Sequence, residues 1–321
     1  MIKNLYYIET DCLNPYQNLA LEEYLTDTLP VNSALLFLWQ NKNCVVIGKN
    51  QNIYDECNLD LMKIDEVKPV RRKTGGGAVY HDLNNLNFSF ITSKKQYNKE
   101  TNNQIILKAL NDLNIKAEIS GRNDLVIGQY KFSGHAYLKK RNCLHHGTLM
   151  VDVDKEKLSK YLNVSKEKLQ SKHVKSVKSR VINLKEVQEN LTIDKLKKAL
   201  LKSFENYYQQ PGTLIEVDYD KIKQISIQYQ DEKFIYGKKD NYSFQKSCRF
   251  DWGMVKIFYN LNDNQIVKLA ISSDCLNSDL PKEIEKILSN KQLDEQLYTF
   301  RKDKEYKDIV DLLLKRQEES L

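Results

Sequence analysis

Apolar positions recur along the chain in two rhythms, and the segments that carry them alternate. Residues 4–9 (NLYYIE), 34–39 (ALLFLW) and 44–48 (CVVIG) are short apolar runs that predict strands, the last two joined by the polar link 40–43. Between the first two, Asn14-Pro15 opens a stretch to about Thr28 in which Leu19, Leu21, Tyr24 and Leu25 form an apolar stripe. That spacing predicts an amphipathic helix, with Asn14 as its cap and Pro15 at its first position. Residues 48–58 predict a loop with a helical turn. Leu86, Phe88 and Phe90 alternate with polar residues and predict a strand with one buried face. Helices are predicted over 100–113, 155–162, 165–169 and 191–208, the last ended by Gln210-Pro211-Gly212. Strands are predicted over 117–119, 124–127, 130–137 and 144–153, with Gly128-Gln129 turning the middle pair into a hairpin.

The pattern weakens from residue 236 to 251, where Gly237 to Asn241 form a polar gap. Beyond it a second unit begins, with strands over 251–259 and 265–270 and helices towards the C-terminus. Strands and helices therefore alternate along the whole chain. A large domain over 1–245 is followed by a small α/β domain over 246–321. The chain's 321 residues are enough to bury a sizeable core in that arrangement.

Composition narrows the class. Hydrophobic residues make up 41% and aromatics 10% of the chain, which fits a globular protein and excludes a disordered one. No apolar run reaches the ~18 residues of a membrane span, and MIKNLYYIETD has no apolar signal core, so neither membrane nor export is expected. Six cysteines (Cys12, Cys44, Cys57, Cys143, Cys248 and Cys275) are scattered without C-x-x-C spacing. They read as reduced thiols, which points to the cytoplasm and offers no zinc site. The net charge of +7 suits a phosphate-bearing substrate or an acidic protein partner as well as it suits nucleic acid.

Two stretches carry chemistry. RRKTGGGAVYHDLNNLNFSF (71–90) sets two arginines before three contiguous glycines. Such glycines let backbone N–H groups approach a ligand without Cβ interference, and cations before them suit a phosphate or carboxylate. The plainer alternative is a tight turn with Arg71 and Arg72 in water. It is not a Walker loop, because no Gly-Lys-Ser/Thr follows. GRNDLVIGQYKFSGHAYLKKRNCLHHGT (121–148) supplies Asn123, whose amide can both donate and accept at a base edge, and Asp124. It also places Lys131 mid-strand, either as a solvated strand residue or as a point charge delivered to an anionic reaction centre. His145 and His146 are adjacent and so point to opposite faces of their strand.

Taken together, these stretches make the chain resemble a lipoate–protein ligase. The resemblance runs through LWQNKNCVVIGKNQNIYDECN, RRKTGGGAVYHDLNNLNF, GRNDLV, KFSG, HHGTLMVDVD and SKHVKSVKSRVINL, and continues in FDWGMVKIFYN and LNSDLP. It covers essentially the whole chain, and it implies an α/β (α+β) fold: a catalytic domain related to the biotin ligases, with mixed β-sheets flanked by helices, plus a small α/β accessory domain. The implied reaction has two steps. ATP and lipoate give lipoyl-adenylate and pyrophosphate, and the acyl group then passes to a lysine of an acceptor protein. The resemblance makes Lys131 the catalytic residue, contacting both the carboxylate of lipoate and the phosphate. It places Arg72, Gly75, Gly76, Gly77, Ala78, Val79, Tyr80, Asn85, Asn123 and Asp124 around ATP and the adenylate. Trp39, Arg72, Tyr80, His81 and His146 fall around lipoate, and Asp124 is the candidate ligand for Mg2+. The implied acceptors are lipoyl domains of 2-oxoacid dehydrogenase E2 subunits and the glycine-cleavage H protein, with the enzyme a monomer and no nucleic acid or membrane as partner. One departure is Asn84, where the family commonly has glycine; asparagine tolerates a left-handed backbone, so the turn is expected to form.

A rival mechanism rests on Cys143. Cys-x-x-His-Gly also occurs in octanoyltransferases, which move an acyl chain through a cysteine thioester without ATP, and a thiolate near Lys131 and His146 would be activated. Against it stand TGGGAVYHD, GRND and the C-terminal unit. The basic run 172–180 lacks interleaved aromatics and fits the ligase segment better than a nucleic-acid patch.

Overall fold

In the computed structural model, which describes residues 2–121, 123–163, 180–237 and 240–315, the alternating segment around Phe88 lies deep inside the molecule. In chain order the first strands are β1 (Asn4–Glu9), β2 (Ser33–Trp39), β3 (Cys44–Ile47), β4 (Lys68–Arg71), β5 (Val79–His81), β6 (Asn85–Ser93) and β7 (Glu118–Ser120). They are followed by β8 (Asp124–Ile127), β9 (Tyr130–Lys139), β10 (Asn142–Met150), β11 (Thr213–Leu214), β12 (Phe244–Phe250), β13 (Gly253–Asn262) and β14 (Gln265–Ser273). A mixed sheet runs β11-β1-β2-β6-β10-β9-β8-β7, with β4-β3-β5 and β12-β13-β14 as two smaller sheets.

Strand β6 is buried on both faces rather than one. Leu86, Phe88 and Phe90 pack beneath the helices Lys99–Asp112 and Ile193–Tyr208. The alternate residues Asn85, Asn87 and Ser89 are buried too, and register sets them beside Met150, Thr148 and His146 of β10. Trp39 of β2 pairs with Asn87. One face of the central strands is thus an ordinary core; on the other, Leu35, Phe37 and Ile91 pack under the first helix and Asn85, Asn87 and Ser89 form a buried polar floor.

The helix Pro15–Thr28 forms as its sequence predicts: the Asn14 side chain accepts from Tyr16 N at 3.0 Å, and Leu19, Leu21 and Leu25 are buried. It packs against a second helix, Tyr219–Gln230, which the sequence reading did not predict. In the small sheet, β4 and β5 both pair with β3. Residues 72–78 must therefore cross the end of β3 to join them, and the glycines sit at that crossing. The turn before β6 also forms: Asn84 N donates to Asp82 Oδ1 at 2.9 Å. Asn84 is not among the residues with positive φ, so the turn needs no left-handed position there.

The C-terminal sheet packs under the helices Leu280–Leu288 and Lys304–Leu314 around Val255, Ile257, Ile284, Tyr306 and Ile309, a core of its own. Strand β12 was missed by sequence reading, because it is a half-exposed edge strand whose apolar alternation is broken by Lys246. The helix predicted over 165–169, the run 172–179 and Arg122 lie outside the described residues. Among the described residues, no helix is long and apolar enough to cross a membrane.

Candidate active site

A cleft of about 850 Å³ opens over the polar floor, a size that suits a small organic ligand. Its walls bring together Trp39, Arg72, Gly76, Gly77, Ala78, Val79, Tyr80, His81, Asn85, Asn123, Asp124, Lys131 and His146, nearly every residue singled out from the sequence. Gly75 is the exception. It is packed against the C-terminal unit, where a Cβ would meet Cys275 O at 2.2 Å.

Neither arginine before the glycines is solvated. Arg71 ties distant backbone together, donating to the carbonyls of Gly48, Lys49, Gln51, Phe234 and Ile235. Arg72 lies against the cleft, but its guanidinium serves the loop: it donates to Thr74 Oγ1 (2.9 Å), Val46 O (3.1 Å), Gly75 O (2.7 Å) and Gly77 O (2.8 Å). Burial pushes the pKa of each down to about 10, so both remain cations near neutral pH. Holding glycine carbonyls inward is a device for turning N–H groups towards the cleft. The loop fits its crossing only because Gly48 lacks a side chain, since a Cβ there would meet Gly76 O at 2.1 Å.

Arg72 is one end of a buried hydrogen-bond chain. Thr74 Oγ1 lies 2.9 Å from His146 Nε2, and His146 Nδ1 lies 2.8 Å from Glu22 Oε1. Ser89 Oγ donates to the same carboxylate oxygen, and Trp39 Nε1 donates to Ser89 Oγ at 3.0 Å. A carboxylate only accepts, so His146 presents Nδ1–H to Glu22 and Nε2 can accept from Thr74. Sequence reading missed Glu22, Thr74 and Ser89. Glu22 did leave a signal, a charge three residues from both Leu19 and Leu25 on a stripe that is otherwise apolar. A second chain lies under the sheet: His145 Nε2 to His135 Nδ1 at 3.0 Å, with Asn102 and Ser133 at its ends. His146 therefore faces the cleft while His145, fully buried, is structural.

His81 lies at the apolar end. Asn18 Nδ2 donates to two backbone carbonyls and to Asn41 Oδ1, which turns the Asn41 amide N–H towards His81 Nδ1 at 3.1 Å. His81 Nδ1 then accepts and Nε2 carries the proton, a buried donor without a partner among the described residues. Burial, aided by Arg72 and His146, lowers its pKa to about 3, so the ring is neutral. Trp39 meets its ring edge-on at 6.4 Å, and Leu19 and Val46 cluster with Trp39 in the same cleft lining.

At the other end, Lys131 Nζ pairs with Asp124 Oδ1 at 2.8 Å, the lysine partly exposed. Strand residues three apart normally face opposite ways. Here a bulge between β8 and β9 puts both Lys131 and Gly134 on the cleft side while Phe132 enters the core. A Cβ on Gly134 would lie 3.0 Å from Lys131 Nζ, so this glycine makes room for the ammonium. Gly134→Ala is expected to leave the melting temperature unchanged and to slow the chemical step ~10-fold by displacing that charge. A wild-type rate would show that the ammonium has other room. Asn123 Nδ2 donates to His135 O at 2.9 Å, which leaves its carbonyl oxygen as the group a base could use.

Cys143 is not part of the cleft. It is 1% exposed, paired in the sheet with Thr92 and Lys139, and burial raises its thiol pKa. Such a thiol lacks the thiolate character a nucleophile requires.

A mixed sheet with a glycine loop folded over a buried polar floor, and a lysine–aspartate pair in the same cleft, fits a protein ligase of the lipoyl type. Family models agree: lipoyl protein ligase A/B catalytic domain matches residues 14–205, and bacterial lipoate protein ligase C-terminus matches residues 239–313. Lipoate-protein ligase A of Blochmanniella floridana is 42% identical over 286 residues, covering 86% of this chain and 85% of that protein. The Bdellovibrio bacteriovorus ligase is 39% identical over 293 residues, covering 88% and 86%. Among solved structures, P. falciparum LipL1 in complex with lipoate superposes with a TM-score of 0.86 at 31% identity, covering 97% of this chain and 99% of that one. A lipoate-protein ligase A bound with ATP gives 0.64 at 26% identity, covering 74% and 99%. A bipartite ligase and its E2 lipoyl domain from Thermoplasma acidophilum gives 0.64 at 28%, covering 76% and 100%. The chain belongs to the lipoate–protein ligase A family and is a ligase.

Proposed function

We propose that this ligase joins lipoate to AMP at the expense of ATP, releasing pyrophosphate, and then passes the lipoyl group to a lysine of an acceptor protein. The observation that carries the reading is the cleft's polarity. A slot walled by Trp39, Leu19 and Val46 suits an acyl tail, and the Lys131–Asp124 pair at the other end suits a carboxylate meeting a phosphate. The solved relatives that hold lipoate and ATP support the same pair of substrates.

In this reading Lys131 Nζ lies between the attacking carboxylate and the α-phosphate, where a fixed cation offsets their repulsion and the charge growing at phosphorus. Arg72 acts through the loop. It holds the carbonyls of Gly75 and Gly77 so that backbone N–H groups from Gly77 to Tyr80 can meet the nucleotide. Asn123 Oδ1 can accept from the adenine amino group. His81 and His146 lie beside the acyl chain, with Tyr80 and Asn85 completing the wall.

Among the described residues, no group of three or more His, Cys, Asp or Glu side chains could hold a metal. A lone Asp124 still fits Mg2+, which usually takes one or two carboxylates and the substrate's phosphates. When bound, the ion would neutralise charge on the leaving pyrophosphate.

The acceptor in this proposal is a lipoyl domain, supported by the archaeal ligase solved with its E2 lipoyl domain, with the H protein as a second candidate. The net charge of +7 favours acidic surfaces around a target lysine. The reading takes the enzyme as a cytoplasmic monomer whose two domains meet at residues 245 and 246.

Purified protein with MgATP and no acceptor is expected to release pyrophosphate only when lipoate is added, with lipoyl-adenylate recovered by mass spectrometry. Cys143→Ala should match wild type. Absence of adenylate, together with acyl transfer from an octanoyl carrier protein that is lost in Cys143→Ala, would replace the proposal with a thioester mechanism.

A further inference from the structure

Part of the cleft wall belongs to the C-terminal unit. Arg249, Phe250, Asp251, Asp274 and Leu276 line it opposite Lys131, Asp124 and Arg180. The unit is held there by contacts on both sides of the glycine loop. Gly76 N donates to Cys275 O (3.0 Å), Ser273 N to Asn50 O (3.0 Å) and Asn52 N to Ser272 Oγ (3.0 Å). Lys49 pairs with Asp279 (2.7 Å) and Lys256 with Asp55 (2.9 Å).

Arg249 is the residue in this wall whose chemistry is unaccounted for. Its Nη1 lies 3.6 Å from Asp274 Oδ2, too far for a hydrogen bond. That nitrogen is shielded from solvent and has no other hydrogen-bond partner among the described residues. Asp274 is engaged within its own unit, where Oδ1 accepts from Met254 N at 2.7 Å. The pair therefore orients the guanidinium without saturating it, and about a quarter of the Arg249 side chain remains open.

What faces Arg249 is more positive charge. Burial lowers the pKa of Arg180, and Arg249 lowers it further while Asp124 opposes the shift. Val181, next in sequence, forms a bridge with Lys131, and Ile182 N donates to Lys131 O at 2.9 Å. Lys131, Arg180 and Arg249 thus lie near one another in a cleft wall that also holds the carboxylates of Asp124, Asp251 and Asp274. A guanidinium left unsaturated in the wall between the two units suits a phosphate-bearing ligand lying in the cleft.

We propose that Arg249 binds the β- and γ-phosphates of ATP while the C-terminal unit is docked, so that this unit supplies a cation to adenylation and none to acyl transfer. This rests on the ligase reading above. In the step concerned, a carboxylate oxygen of lipoate bonds to the α-phosphorus. The bond from that phosphorus to the oxygen bridging to the β-phosphate breaks, and pyrophosphate leaves with the electron pair. Arg249 meets the charge that arrives on the leaving group. In the second step the lysine amine displaces AMP, no pyrophosphate is present, and Arg249 has nothing to hold.

The test separates the half-reactions in the full-length enzyme. Arg249→Ala is expected to reduce lipoate-dependent ATP–pyrophosphate exchange ~100-fold and to weaken product inhibition by pyrophosphate, with Arg249→Lys partly restoring both. Transfer from synthetic lipoyl-adenylate to a lipoyl domain should stay within ~2-fold of wild type, since no contact with a leaving phosphate remains. Unchanged exchange would overturn the assignment. So would an equal loss of both half-reactions, which would make Arg249 a docking residue only. If wild type shows no lipoate-dependent exchange, the ligase reading fails first, and this inference with it.

Discussion

Lys131→Ala is expected to keep the fold and to lose adenylate formation by ~10²–10³-fold or more, the usual cost of removing one group that meets developing charge. The side chain is about two-fifths exposed and its ammonium contacts Asp124 rather than core, so its removal leaves no cavity and breaks one partly solvated ion pair. Such pairs contribute roughly 0–1 kcal/mol, and the melting temperature should barely move. Lys131→Arg should recover little. The space beside Gly134 accommodates a compact ammonium, and a planar guanidinium directs its donors elsewhere. The measurement is lipoate-dependent pyrophosphate release with mass spectrometry of the adenylate, beside a circular dichroism melt. A rate near wild type in a folded Lys131→Ala protein would remove this lysine from the mechanism.

How much of this was legible in the sequence depended on whether a signal was periodic or spatial. The helix Pro15–Thr28 was readable because cap, proline and stripe agree locally, and the observed helix starts where they place it. Strand β6 was readable as a strand but not as a floor. Asn85, Asn87 and Ser89 look like a solvent face to any period-two reading, and only the pairing with β2 and β10 shows that they turn inward. The glycine loop announced itself, but its arginines misled in an instructive way. Cations before glycines suggest a ligand, whereas Arg71 and Arg72 spend their donors on backbone carbonyls. A guanidinium can serve an anion site by shaping the loop that binds it, and sequence does not separate the two uses. Arg249 was beyond reach because its relevance depends on docking between segments far apart in the chain. Lys131 was marked by resemblance, but the reason Gly134 follows it three residues later appears only with the bulge.

The buried histidines give the second large expectation: the fold should lose much of its stability in mild acid. His135 and His81 have pKa values lowered to about 3 from an ordinary 6.5, and His145 is lowered well below that value, with burial the leading cause in each. The hydrogen bonds explain why relief is hard. If Asn102 donates to His145 Nδ1, then His145 Nε2–H meets His135 Nδ1, and His135 Nε2–H meets Ser133. A further proton on either ring would face a donor, and for His135 the Lys131 charge adds to the cost. Between the two pKa values the unfolded chain holds more protons than the folded one. The stabilisation is therefore complete above about pH 6.5 and is lost as pH falls towards 3. At about pH 5, each group shifted by this much costs about 2 kcal/mol, from 1.36 kcal/mol per unit. Two such groups remove roughly 4 kcal/mol from a total that is commonly 5–15. Thermal melts from about pH 7.5 down to 5 should show a steep fall in melting temperature beginning near 6.5. Calorimetry at about pH 5.5 in buffers of different ionisation heat should find two or more protons taken up on unfolding. A melting temperature that stays level across that range would mean these rings are protonated in the native state, and that the neutral chain from Asn102 to Ser133 is drawn wrongly.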